Sequence, residues 1–509
     1  MILILDFGSQ YTQLIARRIR EEKVYCELYP GNKPIKSFSG FEGLKGIILS
    51  GGYESVYSKN APWPDPKVWE LGIPILGICY GMQLIAEHLG GKVTPSKCRE
   101  FGLASVDVKY DCFLFNGLSS KETLWMSHGD KLLKIPKGFR VTAKSDNSPY
   151  AAIENAAKNI YGVQFHPEVK HSVNGRKILK NFIFKICGSE RDWTIKSYIV
   201  DEVKRVQEQV GKSKVLCALS GGIDSSVAAV MLYKAIGKRL ICVYVDHGLQ
   251  KLGETERVRK VFGKIFDKNL IIVNAKKIFL SKLKSVTDPE QKRKIIGHTF
   301  IEIFDKEAKK LKGIDFLLQG TIYPDIIESI SIKGAKSPIK SHHNVGGLPE
   351  KMKMKLVEPL KFLFKDEVRV LGRELGIPAE IIDRQPFPGP GLAVRTLGEI
   401  TEEKLNILKE ADNIVTEEIK RAKLYEKIWQ SFAVILPVKT VGVMGDARTY
   451  EYVIAVRAVN SEDAMTADWV KLPYELLGKI SSRIINEVKG VNRVVYDISN
   501  KPPATIEWE

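Results

Sequence analysis

One cysteine in the first third of the chain has the surroundings of a catalytic nucleophile. The stretch Gly77-Ile-Cys79-Tyr-Gly81 follows the apolar run of residues 73–76 and precedes a helical pattern that begins at Met82. The flanking glycines permit a sharp strand-to-helix turn that projects the Cys79 side chain, and the start of the helix favours its thiolate. A small, buried and inert thiol is the alternative interpretation.

A histidine and a glutamate further along supply the partners that such a cysteine needs. In Gln164-Phe-His166-Pro-Glu168, one residue separates His166 from Glu168, so on an extended segment both side chains point the same way. We predict that His166 accepts the thiol proton and that Glu168 holds its tautomer. The turn Ser50-Gly51-Gly52 closes another apolar run, and we predict that its backbone, at Gly52, donates to the oxyanion of a tetrahedral intermediate.

A second kind of chemistry is indicated by Ser220-Gly221-Gly222-Ile223-Asp224-Ser225-Ser226, which follows an apolar run and opens a helical pattern. Successive glycines free backbone N–H groups to wrap an anion, and the helix start adds positive potential. The Walker spacing and its lysine are absent, so cleavage at the γ-phosphate is not indicated. We predict a pyrophosphate-binding loop in which Asp224 is a Mg²⁺ ligand. A plain helix entry with an N-cap is the alternative.

The elements around these residues predict an α/β protein with two doubly wound, mostly parallel sheet domains followed by a small α+β C-terminal dimerisation domain. Short apolar runs, Gly-containing turns and helical patterns alternate in two successive series. The stretch Gln385-Pro-Phe-Pro-Gly-Pro-Gly-Leu392 is too rich in proline and glycine for a helix or strand to continue. We therefore expect domains at residues 1–188, 189–384 and 385–509.

Length and composition narrow the class of protein. A chain of 509 residues is too long for one small binding module, and 44% hydrophobic with 27% charged residues is typical of globular proteins. No stretch is long and apolar enough to cross a bilayer, and the N-terminus does not resemble a signal peptide, so we expect a cytoplasmic protein without membrane partners.

Cysteine content and charge add two further expectations. Seven scattered cysteines without a Cys-x-x-Cys pair argue against a disulfide framework and a cysteine zinc site. The net charge of +18 favours anionic partners but does not choose among them. Most of the charge is interleaved, which is typical of a solvated surface.

The first set of motifs is similar to the class I glutamine amidotransferase family. The resemblance rests on the motifs at Cys79, His166 and Gly52 and on Asp6-Phe-Gly-Ser-Gln10. It implies that Cys79 attacks the side-chain amide of glutamine, forms a glutamyl thioester and releases ammonia. Tyr53 stands where the family usually has proline, so we hypothesise that the oxyanion turn is mobile until the second domain is loaded.

The second set resembles the N-type ATP pyrophosphatases, which adenylate a substrate oxygen and expel pyrophosphate. The stretch Val243-Tyr-Val-Asp246-His-Gly248 also matches that family. Further motifs resemble the GMP synthetase family along nearly the whole chain: Lys292–Gly297, Gln319–Ser329, Lys340–Pro349 and Lys501–Glu509. This resemblance implies that ATP activates XMP at the purine O2 and that ammonia converts it to GMP.

The same resemblance, together with residue chemistry, gives the nucleotide contacts. Arg293 and Lys501 suit the XMP phosphate, Glu507 suits ribose or base, and Lys365 is implied near the ATP phosphates. Without the resemblance each would be interpreted as a solvated surface charge. We expect Mg²⁺ to accompany ATP, no tightly bound organic cofactor, and a flexible lid at residues 337–349.

Two further expectations concern partners. The resemblance implies a homodimer formed through the third domain, where residues 434–438 and 441–444 supply apolar surface. A glutamine-dependent PP-loop enzyme that modifies RNA is the alternative function, since positive charge suits RNA, but no RNA-binding signature is present and we expect no nucleic-acid partner. A non-catalytic nucleotide sensor would show a lost nucleophile or a broken phosphate loop, and neither loss is visible.

Overall fold

The computed structural model describes residues 1–35, 41, 43–109, 111–330, 354–461 and 466–509. The lid predicted at residues 337–349 and the motif at residues 340–349 lie outside them. The chain divides into two units, which are described separately. The first comprises residues 1–198 with 324–330, and the second comprises residues 199–323 with the described residues from 354 onward.

The first unit is built on one large mixed sheet. Its strands are β1 (Ile2–Phe7), β2 (Cys26–Pro30), β3 (Gly46–Gly52), β4 (Ile75–Ile78), β5 (Lys92–Val108), β6 (Lys121–Lys134), β7 (Arg140–Ser145), β8 (Ala152–Asn155) and β9 (Ile160–Val163). Their order in the sheet is β2-β1-β3-β4-β9-β8-β7-β5-β6. The pairs from β2 to β9 are parallel, and the pairs from β9 to β6 are antiparallel.

The parallel half of this sheet is a continuous apolar layer, as expected of strands covered on both faces. All residues of β4 and β9 are buried, and so is β1 except for one partly exposed residue. The helices of this part of the chain are α1 (Thr12–Glu21), α2 (Tyr80–His88) and α3 (Gly175–Lys180), and α4 (Ile195–Val210) runs through the division between the units.

The second unit contains a parallel sheet of five strands, namely β10 (Lys214–Ala218), β11 (Leu240–Asp246), β12 (Leu270–Asn274), β13 (Ile314–Leu318) and β14 (Lys355–Val357). Their order is β12-β11-β10-β13-β14, and every pair is parallel. The helices of this unit that follow are α5 (Ile223–Ile236), α6 (Glu254–Phe266), α7 (Lys276–Leu283), α8 (Pro289–Lys309), α10 (Lys365–Glu374) and α11 (Ala379–Ile382). The helix α9 (Tyr323–Ile330) belongs to the first unit except for its first residue. The order reverses at β10, which places its carboxyl end at a topological switch point, where ligands bind in such sheets.

The C-terminal part of the second unit is a four-stranded sheet with two helices. It contains α12 (Glu402–Arg421), β15 (Gln430–Met444), β16 (Ala447–Asn460), β17 (Asp468–Trp469), α13 (Tyr474–Glu487) and β18 (Val491–Asp497). Strands β15 and β16 pair antiparallel, and β18 pairs with β16 in parallel. One hydrophobic core extends from Leu216 in β10 to Val491 in β18. The predicted fold class is confirmed, while the two domain boundaries stay predictions.

Candidate active sites

The predicted nucleophile lies on a strained turn between β4 and α2. Cys79 adopts φ 52° and ψ −105°, a conformation that residues with a side chain rarely take. Glycine is required on both sides, because a Cβ on Gly81 would lie 2.2 Å from the carbonyl oxygen of Leu49 and one on Gly77 would lie 2.5 Å from the carbonyl carbon of Gly81. The turn therefore presents Cys79 at the carboxyl end of a central strand.

The predicted base and its partner are buried beside this cysteine. His166 Nδ1 lies 2.7 Å from Glu168 Oε1, and the two residues are 2% and 1% exposed. Burial alone would lower the pKa of His166, but the carboxylate of Glu168 and a hydrogen bond with Cys79 raise that pKa well above its ordinary value. His166 is thus suited to take the thiol proton and to keep it as an imidazolium.

The Ser50–Gly52 turn lies beside His166 and beside the cysteine turn, at Tyr80. The Ser50 hydroxyl accepts from the backbone N–H of Phe7 at 3.0 Å and donates to the carbonyl of Gly51. A Cβ on Gly51 would lie 3.2 Å from the His166 ring, and one on Gly52 would lie 2.9 Å from the ring of Tyr80, the residue after the nucleophile. The predicted oxyanion turn therefore lies beside His166 and beside the residue that follows Cys79.

The chain after this turn is held by a residue that the sequence did not single out. Asp130 lies in β6. The hydroxyls of Ser55 and Tyr57 both donate to its carboxylate, and the Tyr57 bond is 2.8 Å long. The carbonyl of Asp130 also accepts from Gln83 of α2. That this turn is mobile until the synthetase substrates bind to the other unit stays a hypothesis. A glutaminase rate that is the same with and without those substrates would count against it.

Two polar groups next to the thiol were also missed. The side-chain amide of Gln164 donates to Cys79 Sγ at 3.6 Å, and the thiol lies 3.7 Å from the carbonyl of Ser127. Gln164 belongs to the same short motif as His166, so its position in the sequence was a usable signal. Ser127 lies on β6, and nothing local indicates that β6 reaches the nucleophile.

The phosphate loop connects β10 to α5 and is organised by its own serines. The hydroxyls of Ser220 and Ser225 lie 2.8 Å apart, Ser225 Oγ accepts from the N–H of Ser220, and Ser220 Oγ accepts from the N–H of Gly222 at 3.3 Å. Gly221 has φ 77°, which glycine adopts without strain. The loop therefore has the curved backbone and the helix start that bind phosphate.

A lysine and an aspartate meet at the start of α5. Lys365, the first residue of α10, donates to Asp224 Oδ2. Asp224 Oδ1 is buried and has no partner among the described residues. Mg²⁺ binds through one or two carboxylates together with substrate phosphates, so Asp224 fits an ion that arrives with ATP. No group of three or more His, Cys, Asp or Glu that could hold a metal lies in the described parts of the chain.

The strands on either side of β10, namely β11 and β13, end at the same edge of the parallel sheet as the loop. A Cβ on Gly320, after β13, would lie 3.2 Å from the backbone of Asp224 and Ser225, so the chain there passes directly over the start of α5. At the end of β11, Asp246 accepts from the N–H of Gly248 at 3.1 Å. Burial lowers the pKa of the adjacent His247 to about 4, so this imidazole is neutral.

The three predicted XMP contacts lie in different surroundings. Arg293 on α8 is 30% exposed and pairs with Glu290. The backbone of Lys501 pairs with Ala467. Both oxygens of Glu507 accept hydrogen bonds from Arg395, and Gln430 donates to one of them at 2.8 Å, so this carboxylate has a fixed orientation.

Buried cations anchor the tail that carries Lys501 and Glu507. Arg457, which is fully buried, donates to the carbonyls of Ile506 at 2.8 Å and Thr505 at 2.9 Å. Lys292, also fully buried, donates to the side chain of Glu509 and to the carbonyl of Thr396. Such cations were not predicted, because arginine and lysine are almost never fully buried unless paired, and these partners are distant in sequence.

Comparisons with known proteins match successive parts of the chain. The class I glutamine amidotransferase model matches residues 3–186, the NAD synthase model matches residues 195–295, and the model of the GMP synthase C-terminal domain matches residues 417–508. A solved structure of a glutamine amidotransferase from Thermotoga maritima is similar over 40% of this chain and 84% of its own, at 21% identity with a TM-score of 0.29.

Curated relatives match over the full length. A glutamine-hydrolyzing GMP synthase from Carboxydothermus hydrogenoformans is 60% identical over 508 residues, covering 100% of this chain and 99% of its own. One from Brachyspira hyodysenteriae is 59% identical with the same coverage.

A thiol site of glutaminase type and a PP-loop on one chain define a glutamine amidotransferase joined to an ATP-using synthetase. The full-length matches are more specific. The chain belongs to the glutamine-hydrolysing GMP synthase family. The RNA-modifying alternative is not favoured, since the matches include the C-terminal part. Among the helices that the structure describes, none has the length and apolar character needed to span a membrane.

Proposed function

We propose that this protein makes GMP from XMP, ATP and glutamine. In the first unit the Cys79 thiolate attacks the side-chain amide carbon of glutamine, and the N–H of Gly52 stabilises the oxyanion. His166, oriented by Glu168, gives its proton to the departing ammonia. Water then hydrolyses the thioester and releases glutamate.

In the second unit the purine O2 of XMP attacks the α-phosphorus of ATP, and pyrophosphate leaves. The loop from Ser220 to Ser226 holds the pyrophosphate through its N–H and hydroxyl groups, and Lys365 contributes positive charge. Mg²⁺ bound through Asp224 would supply neutralisation of the phosphate charge. Ammonia displaces AMP from C2 to give GMP.

The observation that carries this proposal is that two separate arrangements of chemically suited residues lie on one chain. The first is the cysteine turn with its buried His166–Glu168 pair, whose Nδ1 to Oε1 distance is 2.7 Å. The second is the loop at the switch point of the parallel sheet, with Lys365 on Asp224. These two arrangements support a glutaminase reaction in the first unit and an ATP-dependent reaction in the second.

The substrate contacts follow the family resemblance. Arg293 and Lys501 bind the XMP phosphate, and Glu507 accepts from its ribose or base. The fixed orientation of Glu507 between Arg395 and Gln430 supports this role, because a preset acceptor discriminates better than a mobile one.

The proposed function is tested by nucleotide chromatography of the protein with XMP, ATP, Mg²⁺ and ammonium. We expect GMP, AMP and pyrophosphate in equal amounts, with none formed when XMP is replaced by tRNA. Nucleotide release with tRNA as the acceptor, and none with XMP, would contradict the assignment of the acceptor.

We also propose domain boundaries near 188/189 and 384/385. The first is supported by the family matches, since one ends at residue 186 and the next begins at residue 195. A cytoplasmic location is supported by the seven cysteines, because the described residues contain no disulfide bond between them.

We propose further that the protein is a homodimer through the hairpin of β15 and β16. Val441 pairs with Tyr450 across the hairpin and Val443 follows on the same face, and these three side chains are 54%, 65% and 76% exposed. Such an apolar face is typical of an interface.

In sedimentation at micromolar concentration we expect a mass of twice 57.2 kDa. Val443→Glu should halve it, because a charge would lose its hydration in the interface. Val173→Glu, at a valine that is 71% exposed in the first unit, is the matched control and should leave the mass unchanged. A wild-type monomer would rule the dimer out.

A further inference from the structure

Arg384 contacts the phosphate loop, yet the reaction proposed above gives it no part. Its side chain is 16% exposed and lies in the segment after α11. Nη1 donates to the carbonyl oxygen of Gly221 at 3.0 Å and to Glu254 Oε1 at 2.6 Å, while Nη2 donates to Glu254 Oε2 at 2.7 Å. One planar fork therefore joins the loop to the first residue of α6.

The bond to Gly221 fixes the direction of the N–H that follows it. In a trans peptide the C=O and the next N–H point in opposite directions, and the Gly221–Gly222 peptide is trans. With its carbonyl held by Arg384, this peptide directs the Gly222 N–H to the other side, where it bonds Ser220 Oγ within the loop. An anion-binding loop needs its carbonyl groups to face away from the anion, and Arg384 holds the Gly221 carbonyl in that way.

Because Glu254 neutralises the charge of Arg384, we infer that Arg384 acts on the loop by orienting its backbone. This carboxylate is 5% exposed and takes both nitrogens of the fork, so the pair is neutral overall. Its Oε1 lies 3.0 Å from where a Cβ on Gly221 would be, so the glycine and the ion pair fit closely together. Lys365, by contrast, donates to Asp224 at the start of α5.

The main chain at Arg384 is itself fixed by its neighbour. The side chain of Gln385 accepts from the N–H and the hydroxyl of Ser431 at 2.8 and 2.9 Å. It also donates to the carbonyls of Tyr425 and Ile428, each at 3.1 Å. The C-terminal part of the unit therefore sets the position from which Arg384 reaches the loop.

We propose that Arg384 is a positioning residue for ATP, which turns the Gly221–Gly222 peptide so that its carbonyl faces away from the pyrophosphate and its N–H orients Ser220 Oγ within the loop. The proposal rests on the proposed function of the loop. It predicts that the guanidinium fork, and not a positive charge alone, is what ATP binding requires, since lysine cannot hold Gly221 and both oxygens of Glu254 in one plane.

The test compares Arg384→Lys and Arg384→Met with wild type by calorimetry of the full chain with ATP or pyrophosphate in the presence of Mg²⁺. We expect both variants to bind either ligand about tenfold more weakly or worse. The KM for XMP, measured with ammonium, should not change. Arg257→Met is the matched control, because Arg257 also donates to Glu254, at 3.2 Å, but makes no bond to Gly221. We expect it to bind ATP as wild type does.

Three results would overturn the proposal: an Arg384→Lys variant that binds ATP like wild type, a KM for XMP that rises as much as the affinity for ATP falls, or an equal effect of Arg257→Met. If Arg384→Met does not fold, Arg384→Lys decides, because it keeps the charge opposite Glu254. Binding of pyrophosphate does not depend on the acceptor, so failure of wild type to make GMP would refute the proposed function separately.

Discussion

Replacement of Cys79 by alanine is expected to abolish GMP formation from glutamine and to leave GMP formation from ammonium unchanged. The variant lacks the sulfur that we propose forms the thioester, so glutamine hydrolysis should fall by about 10³-fold or more. The synthetase chemistry lies in the other unit and needs only free ammonia. Alanine also removes just one sulfur from a site that is 6% exposed, so the fold should be retained.

The measurement is GMP formation at saturating XMP and ATP, with glutamine or ammonium as the nitrogen donor. Cys98→Ala is the matched control, since Cys98 is an exposed cysteine of the same unit. It should behave as wild type with both donors. Retention of glutamine-dependent synthesis in Cys79→Ala would show that another residue is the nucleophile.

Replacement of Asp224 by asparagine is expected to have the opposite pattern, with loss of GMP formation from both donors and normal glutamine hydrolysis. Asparagine keeps the shape but removes the negative charge that Lys365 and the proposed Mg²⁺ share. The phosphates of ATP would then lose charge neutralisation where it matters in the transition state. We expect GMP formation to fall by about 10²-fold or more.

The same assay with ammonium measures this effect, and glutamate release measures the first unit. Asp315→Asn provides the control, because Asp315 is an exposed aspartate on β13 of the same sheet. A variant Asp224→Asn with wild-type GMP formation would exclude the carboxylate from the reaction. A parallel loss of glutamine hydrolysis would point to a general folding defect.

The turns that carry Cys79 and the phosphate loop could be predicted from the sequence because their signals are short-range. The glycines around Cys79 lie within two residues of it, and the spacing of His166 and Glu168 places them on one side of an extended segment. The phosphate loop likewise lies between a buried strand and a helix in seven consecutive residues. In such cases the local backbone dictates the residue types, so the residues indicate the backbone.

Long-range pairing could not be predicted in the same way. The antiparallel half of the first sheet depends on β5 and β6, whose alternating and charged residues do not indicate which strands they join. The buried cations are a clearer case. Lys292 meets the side chain of Glu509, 217 residues away, and Arg384 meets Gly221 across 163 residues. A lone charge in a sequence indicates a surface, and only its partner shows otherwise.

The central claim is that ATP activates the purine O2 of XMP. It is tested most directly with XMP that carries ¹⁸O at O2, incubated with the protein, ATP, Mg²⁺ and ammonium, followed by mass analysis of the products. The account predicts that the label is found in the phosphate of AMP, because the O2 atom leaves C2 bonded to the α-phosphorus. Label in pyrophosphate or orthophosphate, with unlabelled AMP, would contradict it.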